Sequence, residues 1–298
     1  MGALTGKKYQ RAALFICKLR GGSQPILVEG ANGLLYVLKF NDNQQGPQVP
    51  FNEVAGAEIF RAFRLPVAEW EPLLVTGSFL DANPDCWPLI ESEPCRPQAG
   101  LCFAARFLGA PVRPLLEVLP GSSLSRIRNR SSFWLAWLLD VCCDHADNRQ
   151  AIFSADSEGW LHAFFVDSGH LLRGAHGDRK PNIWSSRYLD RRIYEDISRK
   201  DATIFRRTIE GFNAERTRAR ILAMPQDWIS PLAVRALSGS LDRLADRLLA
   251  IAIWEMLLNS RTPENETVHQ RLPQSEIPAA REEESPLLLP QHRLTALA

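Results

Sequence analysis

The sequence predicts an α+β protein: a strand-rich N-terminal part with one helix, followed by a larger helical part that holds a small hairpin. Three observations predict it. Apolar, strand-like runs separated by turn residues continue as far as Gly109. One segment among them, Phe51 to Phe63, has helical spacing instead. From about Asn182 onward glycines are few and the pattern is mainly helical.

The elements follow in order. "PILVEGANGLLYVLKF", Pro25 to Phe40, reads as two strands joined by a turn at Ala31–Gly33, where glycine supplies open backbone conformations. In "FNEVAGAEIFRAF" the residues Val54, Ile59 and Phe63 share an apolar helical stripe. "WEPLLVTG" and "GLCFAARFLG" are two further strands, and Asp81 to Gly100 between them is an irregular loop rich in Pro, Cys and acids. "SSFWLAWLLDVCC" is a strongly apolar helix with Ser131 or Ser132 as its N-cap. "RQAIFSA" and "WLHAFFVD" form a hairpin around the turn "DSEG". In the last long helix, Leu241, Leu244, Leu248, Ile251 and Met256 approximate one stripe. Beyond Arg261 the composition shifts to Pro, Glu, Gln and Ser, which predicts a disordered tail over 261–298 that serves as an interaction segment.

Composition narrows the function classes. The 298 residues are 45% hydrophobic and 23% charged, as in soluble globular proteins, and the net charge is +1. No global field therefore favours nucleic acid or an anionic membrane. The basic stretch with Arg187, Arg191, Arg192, Arg199, Lys200, Arg206 and Arg207 is interleaved with acids and reads as a solvated helix face. Arg11 and Lys18 interrupt the first apolar run, so it lacks signal-peptide design, and no run approaches the ~18 apolar residues of a membrane span. None of the six cysteines, Cys17, Cys86, Cys95, Cys102, Cys142 and Cys143, forms a CxxC pair, which argues against structural zinc. Reduced thiols in a cytoplasmic protein are the expectation, with Cys142 and Cys143 acting as small buried hydrophobes. The eight tryptophans are spread along the chain and read as packing residues.

A phosphate-transferring site needs a close-approaching loop, a strand lysine, an acid to orient it, a catalytic acid and a metal-holding acid. Gly21, Gly22, Ser23 and Gln24 precede the first strand of the hairpin and suit close approach to an anion, though a flexible turn has the same composition. Lys39 is a single charge in the apolar strand "LLYVLKF", and must snorkel or be paired. Glu53 opens the next helix, either as its partner or as an acid favoured by the macrodipole. Asp147 sits in the loop before one strand of the second hairpin, and Asp167 ends the other. They either converge on one cation or simply flank a hairpin.

Together, "GGSQPILVEGANGLLYVLKF", "NEVAGAEIFRAFRLPV", "GLCFAARFLG", "HADNRQAIF" and "FFVDSGHLL" resemble the HipA-like kinase families. The likeness is to the small bacterial branch with an N-A-D-R-R-Q type catalytic stretch and a later D-x-G-H, and it spans about Gly21 to Leu172. The resemblance implies a two-lobed protein-kinase-like fold. Residues 1–108 would form an antiparallel-sheet N-lobe with one helix, and 109–260 a mainly helical C-lobe with the catalytic hairpin. It implies ATP and Mg2+ as cofactors and transfer of the γ-phosphoryl group to a Ser or Thr hydroxyl, plausibly on a protein. Gly21, Gly22, Ser23 and Gln24 would cover the nucleotide, Lys39 would contact its phosphates and pair with Glu53, and Arg106 and Phe107 would approach the adenine. Asp147 would be the catalytic acid, and Asp167 would hold magnesium, with Ser168 where Phe is common.

The sequence departs from kinase patterns in two ways. Many kinases place a metal-binding Asn five residues after the catalytic Asp, and that position here is Ile152. Gln150, or else Asn148, would supply the second ligand; another phase makes Asp144 the acid and Asn148 the ligand. His145 stands where this branch has Asn. Two alternatives follow: a pseudokinase that binds nucleotide without transfer, and a metal-dependent hydrolase using His145, Asp147, His162, Asp167 and His170. The family's best-known setting is toxin–antitoxin growth control. With no helix-turn-helix in the sequence, a regulatory partner would be a separate chain.

Overall fold

The computed structural model describes residues 9–109, 115–179, 186–195 and 199–250. The chain opens with β1 (Gln10–Lys18), β2 (Ile26–Gly30) and β3 (Leu35–Lys39), then α1 (Val49–Ala62) and β4 (Trp70–Val75). A short α2 (Gly77–Ala82) and a two-stranded hairpin, β5 (Leu89–Ile90) and β6 (Glu93–Pro94), lead to β7 (Gly100–Arg106). The second part has β8 (Leu115–Leu116), α3 (Ser132–Cys142), β9 (Gln150–Ala155), β10 (Leu161–Val166), α4 (Arg199–Glu210), α5 (Ala214–Ile221) and α6 (Pro231–Leu241).

The first sheet closes into a barrel in the order β1-β2-β3-β7-β4. Four of its contacts are antiparallel, but β1 and β4 close it through a short parallel pairing, Gln10 to Leu73 and Arg11 to Leu74. The sheet is therefore not wholly antiparallel. The part also has a second, short helix, α2, whose first turn is capped by Thr76 accepting from the Phe79 amide at 3.1 Å. The turn between β2 and β3 falls where expected, with Gly33 at φ 76°, a backbone region that glycine enters without steric cost. The 81–100 segment, expected to be an irregular loop, instead carries the end of α2, a 3-10 turn at Pro84–Cys86 and the β5–β6 hairpin, with irregular backbone between them.

Inward side chains of the barrel, among them Ile26, Val28, Leu38, Leu73, Val75, Cys102 and Ala104, form one apolar cluster. A larger cluster gathers Phe51, Val54, Ile59, Phe60 and Phe63 of α1 with Phe133 of α3, Phe153 of β9 and Phe165 of β10. Phe165 anchors it, edge-on to Phe60 at 5.6 Å and to Phe133 at 5.0 Å. Helix α1 thus follows β3 in the chain but buries its apolar face against the second half. The Phe165 amide also donates to Pro66 O at 2.9 Å, so the hairpin is bonded to the loop after α1.

α3 begins at Ser132 after Ser131, whose hydroxyl makes no capping bond. α6 stops at Leu241, and helical structure resumes over 244–250, with Leu244 and Leu248 buried. Ile251, Met256 and the expected tail over 261–298 lie outside the described residues. All six cysteines are free, and Cys142 and Cys143 are buried. Among the described residues no helix is long and apolar enough to cross a membrane.

Helix α1 approaches the segment after β10 very closely. A Cβ added to Gly56 would lie 2.2 Å from Ser168 Cβ and 2.3 Å from its Oγ. Gly56→Ala should therefore lower the unfolding free energy by about 1–3 kcal/mol in urea titrations, the usual cost of overpacking. Ser168→Gly in the same chain should restore much of that loss, because it removes the clashing atoms.

Candidate functional site

Lys39 is the last residue of β3, in register with Phe103 of β7, and only 7% of it is exposed. An unpaired ammonium there would be costly, and it is paired twice. Its Nζ lies 2.5 Å from Glu53 Oε1 on α1 and 2.8 Å from Asp167 Oδ1 just past β10. Burial opposes the charge on Lys39, but the two carboxylates outweigh it and hold the ammonium's pKa above its ordinary value. Burial likewise works against Asp167, yet Lys39 wins and keeps that carboxyl well below the usual range. Burial pushes the Glu53 carboxyl up, with Lys39 pulling against it.

Other bonds orient this trio. Glu53 Oε2 accepts from the Ser168 amide at 3.2 Å. Gln150, the first residue of β9, donates through Nε2 to Asp167 Oδ2 at 2.9 Å. Asp167 has φ 59°, a left-handed conformation that Asp tolerates better than most residues. Asn52, beside Glu53 in α1, donates to Gly169 O at 2.9 Å and Gly174 O at 3.2 Å, pinning the segment after Asp167 to the helix. The buried Arg149 forks onto Asp140 of α3 and reaches Val166 O at 2.9 Å. Sequence reasoning assigned no role to Asn52, Gly56, Asp140 or Arg149. A lone Arg after an acidic loop carries no local signal that it turns inward.

Asp147 is half-buried in the loop before β9, and its Oδ1 accepts from the Asn148 amide at 2.7 Å. No Lys or Arg among the described residues ion-pairs with it. Asp144, the other candidate acid, has Arg247 at 3.7 Å. The Asn148 side chain is exposed, and Gln150 is the amide that meets Asp167. The loop is tied to the segment after Asp167 by backbone bonds, Ala146 N to His170 O at 2.9 Å and Arg173 N to Asp144 O at 2.8 Å. His145 is fully enclosed, and neither ring nitrogen has a hydrogen-bond partner among the described residues.

Gly21–Gln24 form the turn between β1 and β2, closed by Gln24 N to Gly21 O at 3.0 Å. The Gln24 side chain pairs with the Leu89 backbone in both directions and so braces β5. Asn43 and Gln44 hold the carbonyls of Ser23 and Gly22 from below. Arg106 ends β7 with an exposed side chain 3.4 Å from Glu69, and Phe107 follows, its amide bonded to Leu35 O.

The five residues of the hydrolase alternative do not assemble. His162 is exposed near the far turn of the hairpin, with its Nε2 4.0 Å from Asp156. Five residue steps along β10 separate it from Asp167, about 16 Å at the usual rise. Among the described residues no three His, Cys, Asp or Glu side chains converge to hold a metal ion. The arginines of the basic stretch that the structure describes include Arg206, paired with Glu210 at 2.8 Å on the exposed face of α4.

No family model and no curated protein matches the sequence. The structure is similar to that of a Helicobacter pylori proinflammatory kinase, CtkA, at 14% identity over 80% of this chain and 94% of that one, with a TM-score of 0.50. It is also similar to the Golgi casein kinase, at 10% identity over 83% and 75% of the chains and a TM-score of 0.48. A further structure of the Golgi casein kinase, with Mn/ADP bound, shares 9% identity over 80% and 73%, with a TM-score of 0.44. The likeness to the first shows a kinase-like α+β fold.

Burial lowers the pKa of His145 to about 4, against the pull of Asp140. The unfolded chain, with an ordinary histidine near 6.5, then takes up a proton before the folded one does. Stability from this group is complete above about pH 6.5 and is lost as pH falls towards 4. Between pH 7 and pH 5 the loss should be about 2 kcal/mol more in the wild type than in His145→Gln, measured by urea unfolding at both pH values.

Proposed function

We propose that the protein is a HipA-like kinase that transfers the γ-phosphoryl group of Mg-ATP to a Ser or Thr hydroxyl of a protein. The observation that carries this reading is the buried Lys39 ammonium held between Glu53 and Asp167, with Gln150 on the far oxygen of Asp167. In this reading the barrel half, 1–108, is the N-lobe, and 109–260 is the C-lobe. The nucleotide enters between them in a cytoplasmic protein.

The charges say what the site takes. Two carboxylates to one ammonium leave a net negative charge beside Lys39, and Asp147 adds another. Such a site repels a bare polyphosphate and favours one that arrives with a divalent cation. Asp167 and Gln150 offer hard oxygen donors, which fit Mg2+ with phosphate oxygens completing its shell. When bound, magnesium would neutralise charge on the phosphates. Lys39 orients and neutralises the phosphate oxygens, and Glu53 keeps its ammonium in place. The Gly21–Gln24 backbone covers the phosphates, and Arg106 and Phe107 lie at the adenine end. Asp147, which no Lys or Arg among the described residues holds, accepts the proton of the attacking hydroxyl.

Ile152 favours a second reading, a pseudokinase that binds nucleotide without transfer. Incubation with γ-labelled Mg-ATP separates the two. The wild type should bind ATP and label a protein, itself included. Asp147→Ala should keep ATP binding while losing transfer by about 10²–10⁴-fold, and Asp167→Ala should lose the metal dependence of binding as well. Binding without any label identifies the pseudokinase, and a wild type that neither binds ATP nor labels protein overturns the kinase.

A further inference from the structure

We propose that Arg149 is a positioning residue: its buried guanidinium holds the backbone around Asp167 so that the carboxylate faces Lys39 and Gln150. The proposal deepens the reading of Asp167 as the metal-holding acid, and its first measurement does not depend on that reading.

Arg149 is 2% exposed and is among the largest fully buried side chains of the protein. Nε donates to Asp140 Oδ2 at 2.8 Å, and Nη2 to Oδ1 of the same carboxylate at 2.5 Å. Nη1 turns the other way, to Val166 O at 2.9 Å, with Asp167 O at 3.4 Å and Ser168 Oγ at 3.5 Å at the margin of bonding. The guanidinium carbon lies 4.7 Å from the centre of the Phe60 ring of α1. One planar group therefore joins α3, the end of β10, the segment after it and α1.

Packing alone does not call for this arrangement. A buried pair of this kind is often matched in stability by apolar side chains of the same volume. What apolar groups do not supply is a grip on backbone carbonyls. Asp167 stands at φ 59°, a left-handed conformation that costs Asp less than most residues and that its surroundings still have to hold. The carbonyls on both sides of its Cα, Val166 O and Asp167 O, face Arg149 Nη1. Turning either peptide would swing the carboxylate away from Lys39. Arg149 also sits between Asn148 and Gln150, so anchoring it fixes Gln150 at the start of β9. Lysine lacks the fork needed to grip a carboxylate and a carbonyl in opposite directions.

The test replaces the pair by apolar side chains, Asp140→Leu with Arg149→Met, and follows amide hydrogen exchange in the nucleotide-free protein. The Ser168 amide, which donates to Glu53, should exchange at least about tenfold faster than in the wild type, with β2, β3 and α3 unchanged. Protection of Ser168 within about twofold of wild type overturns the proposal, as does an equal acceleration across α3 and the barrel, which marks a general loss of stability. Should the double variant fail to fold, Arg149→Lys is read in the same way, with the same result expected and the same results decisive. In a wild type that transfers phosphate, the variant should also need about tenfold more Mg2+ for half-maximal rate, with the KM for ATP at saturating metal within about twofold. An unchanged metal requirement overturns the proposal. A wild type without transfer counts against the kinase reading alone, and the exchange result still decides the role of Arg149.

Discussion

One buried cation organises this protein. The Lys39 ammonium binds Glu53, 14 residues on, and Asp167, 128 residues on, so strand, helix and hairpin end are set by a single charge. Each partner needs its own support. The barrel fixes Lys39 through the pairing of β3 with β7. Helix α1 is fixed by its apolar face in the larger core, which carries Glu53 to the hairpin. Gly56 has no side chain, and this lets α1 come close enough for the Ser168 amide to reach Glu53. Losing any of these would leave a buried charge with the wrong neighbours, which costs far more than a surface ion pair is worth.

In the proposed kinase reading, such a cluster tolerates its own net charge because a ligand would complete it. A structural ion pair is usually balanced, and this one is not: two acids meet one lysine. Asp147, in the loop before β9, has no Lys or Arg partner among the described residues. An imbalance of this kind marks a functional-site candidate, and in the proposed reading a metal-bearing anion would complete it. Asp144 is held by Arg247, so the two acids of the loop differ by environment and not by residue type.

Much of the scaffold was legible in the sequence because its signals are local. The β2–β3 hairpin, α1, α3 and the β9–β10 hairpin each carry their own period and turn residues. Strand β1 was not, since bulges between Ala12 and Leu14 and between Phe15 and Cys17 break its alternation, and its pairing with β4 is long-range. The position five residues after Asp147, Ile152, falls inside a strand. Ile152 pairs with Phe164 inside the hairpin, two residues into β9, whereas Gln150 opposite Val166 is the residue that lies beside Asp167. Counting five residues from Asp147 therefore overshoots the strand start. Arg149 and Asn52 were silent for another reason: whether a polar side chain turns inward depends on carbonyls far away in sequence.

The central claim is that Lys39 is a phosphate anchor and not merely a structural cation. Calorimetric titration of wild type and Lys39→Met with Mg-ATP and, separately, with adenosine tests it most directly. The account predicts that the variant loses at least about tenfold in affinity for Mg-ATP, as expected on losing a charged hydrogen bond, while adenosine binds both proteins equally. Equal affinity of the two proteins for Mg-ATP would contradict it.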